Sequence, residues 1–340
     1  MVHRRPDRAT PLVGYALPRA GSSAVEHGTF NPLVVGSNPT RLATSGEGAD
    51  GHRDAYPWAV ELTRFTDVGR FLGFAGPFLA AREAEHNLIF GVANTLRETP
   101  ELYTAAPYLA AVGHGPRIVA VAYQTPPFRL ILSEVDDPAA LGVLADDLLE
   151  RDLPGVVGGV EVVDAFIAEW TARGGRPARV EMVEHIYQLS AVIPPRPAGG
   201  RWRIADPGDR ELVAAWTHAF MLEALHEDDE PEAAAMADRW LAGVGRTLYL
   251  WEDGPVVSMT GVGGPTPNGI RIGPVYTPPE LRGRGYASAL VAAVSQLQLD
   301  AGRRFCFLYT DADNPTSNHI YRAIGYEPVR DVRAYLFEPG

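Results

Sequence analysis

One cysteine, Cys306, stands in 340 residues, so no intramolecular disulfide can form and nothing marks a secreted, disulfide-stapled fold. A reducing cytoplasm is the expected setting. Lysine is absent, and all 30 basic residues are arginine, a usage that points to GC-rich coding DNA more than to chemistry. No apolar run reaches the roughly 18 residues a spanning helix needs, and the N-terminus carries charges and prolines where a signal peptide would be apolar. A soluble chain that does not enter a membrane is expected. Positive charge is also short: 30 basic against 42 acidic residues leave a net charge of −12. Such a field repels nucleic acid and anionic surfaces and suits cationic partners. What is present is apolar material, 46% of the chain, enough for cores in two domains of roughly 150 residues each.

Residues 1–50 are rich in Gly, Ser, Pro and Thr and lack the apolar density and periodicity of a folded segment, which predicts disorder. Gly21-Ser22-Ser23-Ala24 and Gly36-Ser37-Asn38-Pro39-Thr40 are encodable by the D-arm and T-arm sequences of a transfer RNA gene. Ser22 to Ser37 spans 15 codons and Ser22 to Phe30 eight, which sets Phe30 on the anticodon of a lysine transfer RNA. The expectation is that this segment is a spurious translation of a transfer RNA gene. No methionine occurs between Met1 and Met182, so a start near residue 60 would use an alternative initiator such as Val60.

The remainder reads as two α/β units with the same order of elements. In the first, 55–193, helical spacing over Thr66 to Glu101 predicts two helices. Strands follow at Tyr108 to Val112, Ile118 to Tyr123 and Phe128 to Val135. Asp137-Pro138 opens a helix to Leu149, and a helix over Val160 to Arg173 and a strand over Val180 to Val192 close the unit. Residues 194–200, Pro194-Pro195-Arg196-Pro197-Ala198-Gly199-Gly200, form a stiff linker. In the second unit, 201–338, strand Trp202 to Ala205 precedes helices Asp209 to Leu225 and Glu232 to Leu241. Strands Thr247 to Trp251, Val256 to Val262 and Ile270 to Thr277 come next, then helix Gly285 to Asp300, strand Phe305 to Tyr309, helix Asn314 to Ile324 and a terminal strand to Phe337. The order implies a diverged internal duplication.

Chemistry concentrates between residues 272 and 326. Strand Ile272 to Thr277 leads through Arg282-Gly283-Arg284-Gly285-Tyr286-Ala287 directly into a helix beginning at Ser288. A glycine-rich turn at a helix N-terminus leaves backbone N–H groups for a pyrophosphate, and the helix dipole favours the anion. Gly283 and Gly285 allow close backbone approach, and Arg282 and Arg284 add charge. In the second motif, Asn314 is placed to cap a helix, Ser317 and Tyr321 fall on one face, and Gly325 ends it. Arg282, Gly285 and Ala287, followed by Asn314, Ser317, Tyr321 and Gly325-Tyr326, closely resemble the paired signatures of the GNAT superfamily of N-acyltransferases.

The resemblance covers about 201–338 and implies an α/β fold with a mixed sheet and acetyl-CoA or another acyl-CoA as donor; with the repeated element order it predicts two GNAT-like domains in tandem. It implies that the pantetheine arm pairs with Val275, Tyr276 and Thr277, that the backbone of Gly283, Arg284, Gly285, Tyr286, Ala287 and Ser288 holds the pyrophosphate, and that Asn314 contacts the arm. Tyr321 would protonate the leaving thiolate, as a helix-borne tyrosine near developing negative charge can. The acceptor is expected to be a primary amine of a small molecule, with no metal taking part. A longer acyl donor, as in glycine N-acyltransferase-like proteins, and a non-catalytic acyl-CoA-binding sensor are the alternatives.

The amine must shed a proton before it attacks. Many family members carry a Glu on the fourth strand, but Asn268 to Pro274 has none, which leaves Glu223 and His226 as candidates. The acidic run Glu223 to Glu232 either attracts a cationic amine or is a solvated loop. Cys306 is expected in the core. In the first unit the corresponding loop, Ser133-Glu134-Val135-Asp136-Asp137-Pro138, has three carboxylates and no glycine, which predicts a degenerate domain that does not bind CoA.

Overall fold

The computed structural model describes residues 59–338; the expectations for residues 1–50 lie outside it. The amino-terminal half runs β1 (Glu61–Phe65), α1 (Val68–Ala80), α2 (Asn87–Glu98), β2 (Tyr108–His114), β3 (Arg117–Gln124), β4 (Leu130–Leu132), α3 (Ala139–Leu148), β5 (Gly155–Gly159), α4 (Val160–Ala172) and β6 (Ala178–Leu189). The carboxy-terminal half repeats the order: β7 (Arg201–Ile204), α5 (Arg210–Phe220), α6 (Glu230–Leu241), β8 (Arg246–Glu252), β9 (Val256–Gly263), β10 (Gly269–Tyr276), α7 (Tyr286–Asp300), β11 (Phe305–Asp311), α8 (Pro315–Ala323) and β12 (Glu327–Phe337).

Strand alternation builds two layers of helix on one sheet. Leu109, Ala111, Val121 and Tyr123 pack under α1 and α2, while their neighbours Tyr108, Ala110, Ala120 and Ala122 pack under α3 and α4. In the second half, Leu250, Met259 and Tyr276 meet α5 and α6, and Ile270, Ile272 and Leu308 meet α7 and α8. Leu88 of α2 shares a small core with Val157, Ala334 and Tyr309, so α2 lies on the face opposite α7 and α8 and reaches across the junction of the halves.

That junction is not a simple boundary at the linker. The twelve strands of the described residues form one sheet in the order β1-β2-β3-β4-β5-β12-β6-β11-β10-β9-β8-β7. The last strand of each half is exchanged. β12 pairs antiparallel with β5 of the first half, from Val332 opposite Gly159 to Leu336 opposite Gly155, and β6 pairs antiparallel with β11, from Cys306 opposite Leu189 to Asp311 opposite Glu184. β6 and β12 also pair with each other. A pseudo-twofold axis therefore passes between them.

Several boundaries differ from those read in the sequence. β1 and β5 were not anticipated, because a five-residue edge strand and Gly155-Val156-Val157-Gly158-Gly159 carry little strand signal. The strand expected over Phe128 to Val135 shrinks to Leu130–Leu132, and α3 begins after Pro138 rather than at it. The helix expected over Asp209 to Leu225 ends at Phe220. A π-helical turn, Met221–Leu225, replaces its last part and closes at His226 with φ 58°.

Candidate active site

β10 and β11 are paired, in parallel, only from Gly269 to Arg271 opposite Phe305 to Phe307. Beyond Arg271 the two strands separate, and β10 carries an irregularity between Ile272 and Val275 where Gly273 has φ 143°. The guanidinium of Arg246 donates to the Gly273 carbonyl from the α5 side, holding the bulge. Burial and the charge of Arg271 pull Arg246 down to about 9. A split between parallel strands leaves one edge of β10 with main-chain groups available to an extended ligand.

Val275 packs toward α7, whereas Tyr276 is buried under α5 with its ring 5.8 Å from that of Trp216. Thr277 is buried just past the strand end, and its hydroxyl lies 2.9 Å from that of Ser258. Its carbonyl accepts from Arg282 Nε at 2.9 Å, which fixes the direction in which the loop leaves β10. Arg282, Gly283, Arg284 and Gly285 are all exposed. Gly283 and Gly285 have φ of 75° and 84°, a left-handed region that favours glycine, and Gly285 caps α7. A Cβ built on Gly283 meets no atom within 4 Å, and one on Gly285 meets only Ala198 at 3.9 Å, so the space over the loop is open.

The helix closes its first hydrogen bond from Ala289 N–H to Gly285 O at 2.9 Å, and the earlier amides of Tyr286, Ala287 and Ser288 are first-turn donors with no partner among the described residues. Tyr286 also has a structural task. Its ring is buried on the core side of α7, and its hydroxyl donates to Asp253 Oδ2 at 2.6 Å, anchoring the helix start to the β8–β9 turn. Arg284 donates to Glu280 O at 3.3 Å.

Asn314 is the cap of α8: its Oδ1 accepts from Ser317 N–H at 3.0 Å, leaving the amide nitrogen to other partners. Tyr321 lies on α8 in the same core as Tyr286 and Leu290, with its ring edge-on to Tyr326 at 6.1 Å. Among the described residues its hydroxyl has no hydrogen-bond partner. Burial raises its pKa, so the phenol stays protonated at neutral pH.

Glu223 sits on the π-helical turn and accepts from Arg282 Nη2 at 2.6 Å, with about half of each side chain exposed. It is the counter-ion of the loop arginine. In the acidic run, Asp228 meets His218 at 2.9 Å, Asp229 caps α6 and Glu232 meets Arg239 at 2.7 Å, so these carboxylates are engaged locally. Cys306 is fully buried, and burial pushes its thiol up to about 12, which suits core packing and not nucleophilic chemistry. The roles of Asp253, Ser258 and Arg246 around the loop and bulge were not legible in the sequence, since none lies in either motif.

The equivalent cleft of the first half is filled. Arg330 of β12 lies 2.7 Å from Glu134, just past β4, and 2.8 Å from Glu161 at the start of α4. A Cβ built on Gly159 falls 2.4 Å from Arg330 Nε. The Glu134 N–H donates to His86 Nε2 at 2.9 Å, and His86 Nδ1 lies 2.9 Å from Leu79 O.

Residues 266–335 match the family model described as FR47-like protein. No curated protein matches the chain. Among solved structures, a Drosophila protein superposes with a TM-score of 0.59 at 15% identity, over 82% of this chain and 98% of its own. A tandem GNAT protein from the clavulanic acid biosynthesis pathway superposes with 0.53 at 16% identity, over 83% and 99%. A GCN5-related N-acetyltransferase from Sphaerobacter thermophilus gives 0.53 at 17% identity, over 82% and 96%. The chain has the GNAT fold in tandem, as the motifs of the second half and the repeated order of elements together implied. The matched FR47-like segment lies in its carboxy-terminal half and contains β10, the glycine loop, α7 and α8.

Proposed function

We propose that the carboxy-terminal half transfers an acyl group, acetyl from acetyl-CoA, to a primary amine of a small molecule by direct attack in a ternary complex. The observation that carries this reading is the open Gly283–Gly285 loop, which feeds the N-terminus of α7 beside a strand split. Such a split accepts an extended thiol arm, and such a loop accepts a pyrophosphate. Val275, Tyr276 and Thr277 would flank the arm; Arg282 and the amides from Gly283 to Ser288 would hold the diphosphate. A neutral amine attacks the thioester carbonyl carbon, the tetrahedral intermediate expels sulfur, and Tyr321 gives its proton to the thiolate as the C–S bond breaks. Solvent then reprotonates Tyr321. The proton lost by the amine goes to water or a carboxylate, and Glu223 can serve only after releasing Arg282.

The contacts of Arg330 with Glu134 and Glu161 in the cleft of the amino-terminal half support a reading of one site per chain. We read that half as a degenerate domain that binds no CoA. A second reading, an acyl-CoA sensor without turnover, is favoured by the engagement of Glu223 with Arg282 and by the lack of a carboxylate on β10. Titration with acetyl-CoA followed by an amine panel with a free-thiol readout separates the two. Thiol release that depends on an amine supports transfer; saturable binding with no release for any amine supports the sensor.

A further inference from the structure

The hairpin at the vertex of the β10/β11 split and the β11 limb beyond it are held by side chains of the other half. Glu83, on the turn between α1 and α2, is buried and accepts three hydrogen bonds from the turn between β9 and β10. They come from the Thr266 hydroxyl, from Asn268 N–H at 2.7 Å and from Asn268 Nδ2 at 2.6 Å. Thr266 Oγ1 in turn accepts Gly269 N–H at 2.8 Å, and Asn268 O accepts Arg304 N–H at 2.7 Å at the entry to β11. One carboxylate thus organises the point at which β10 and β11 are still joined.

From there α2 runs between the β9–β10 turn and β11. Asn94 Nδ2 donates to Pro265 O at 2.8 Å in the turn that leads into β10, and Asn87 Nδ2 donates to the Tyr309 hydroxyl at 3.1 Å on the β11 limb. Gly91 lets the helix come close: a Cβ there would fall 2.9 Å from Arg271 Nη2 and 3.1 Å from Gly264 Cα. A helix fixed to the turn at the vertex and to the β11 limb sets the position of β11 relative to the start of β10.

We propose that the amino-terminal half works as a spacer for the donor cleft, with Glu83 as its positioning residue. Glu83 touches neither donor nor acceptor; it acts through the register and opening of β10. This rests on the donor reading above and assigns to the degenerate half a task that the reading leaves open. Because β10 offers its main chain to the arm, a shift of a fraction of an ångström at the vertex is felt along every backbone contact beyond it.

The test compares the full chain with Glu83→Ala, Glu83→Gln and Asn94→Ala, by calorimetric titration of acetyl-CoA and by hydrogen exchange of the segment 264–276 without ligand. Glutamine keeps an acceptor oxygen for Thr266 and Asn268 N–H, so binding should stay within about threefold of wild type, whereas alanine should weaken it tenfold or more. Exchange should quicken in 264–276 of Glu83→Ala while β2 and β3 stay protected. A merely structural role would lower the melting temperature yet leave the affinity of the folded fraction and the local exchange unchanged, and that result overturns the proposal. If Glu83→Ala does not fold, Asn94→Ala carries the same comparison, with a loss of at least threefold expected and no loss contradicting it. Wild type that binds no acetyl-CoA, with faster exchange confined to 264–276 in the variant, refutes the donor reading and with it the cleft, and shows only that Glu83 holds the β9–β10 turn; affinity lost in Glu83→Ala with wild type binding intact is the result that supports the spacer.

Discussion

The phenol of Tyr321 combines burial, a raised pKa and a hydroxyl with no partner among the described residues, which is the state a proton donor to a thiolate should have before the donor binds. Tyr321→Phe should lower kcat by roughly a hundredfold or more, in the range typical of general acids, with acetyl-CoA affinity within twofold; stopped turnover assays and calorimetry read both. Unchanged turnover would remove Tyr321 from the chemistry. Glu223→Gln is the complementary case. It frees Arg282 from its counter-ion, so acetyl-CoA should bind several-fold tighter at low salt, and the gain should shrink as salt screens the site. Looser binding would show that Glu223 helps to hold the donor. Away from the site, burial lowers His86 to about 4. The unfolded chain, with an imidazole near 6.5, takes up the proton first, so this contribution is complete above about pH 6.5 and is lost as the pH falls toward 4. Going from pH 7 to 5 should cost about 2 kcal/mol through this group. Urea unfolding at the two pH values, on wild type and His86→Gln, measures it, and an imidazole that titrates near 6.5 in the folded protein contradicts it.

At the scale of elements, what the sequence made legible was local. The glycines at 283 and 285 and the cap at Asn314 announce a loop, a helix start and a second helix, because each meets a backbone demand that few residues can meet. Helices with a three- and four-residue apolar rhythm, such as α1, α2 and α7, were likewise open to reading. β5 was not, since Gly155, Gly158 and Gly159 dilute its strand signal, and their reason lies in a distant partner. A Cβ on Gly155 would sit 2.0 Å from the Tyr335 carbonyl of β12. Gly155→Ala should therefore cost about 1–3 kcal/mol through backbone displacement. Gly73, inside α1 with no atom within 4 Å of a built Cβ, makes the control: Gly73→Ala should stabilise by about 0.5–1 kcal/mol. Thermal unfolding of both variants decides, and equal shifts would mean that β12 yields to β5 without strain.

For the molecule as a whole, the duplication was readable from element order, but the strand exchange was not. An alternating strand states that it pairs and which face is buried, never which neighbour it takes. The positions of Glu83, Asn87 and Asn94 were hidden for the same reason, being hydrophilic residues in a helical stretch until the other half is set against them. Because β12 completes the first half and β6 the second, a cut at 194–200 should yield pieces that fail alone. The piece 59–193 would leave β5 and β6 with bare edges, which invites aggregation. Coexpressed halves should assemble into a one-to-one complex, and a monomeric 59–193 that unfolds in one cooperative step would contradict the exchange. The central claim, one donor site, located at the α7 loop, is tested most directly by calorimetric titration of acetyl-CoA into the chain and into Gly285→Glu, which sets a carboxylate and a strained φ where the diphosphate would lie. The account predicts one equivalent bound by the wild type and none by the variant; two equivalents, or binding that survives the substitution, would contradict it.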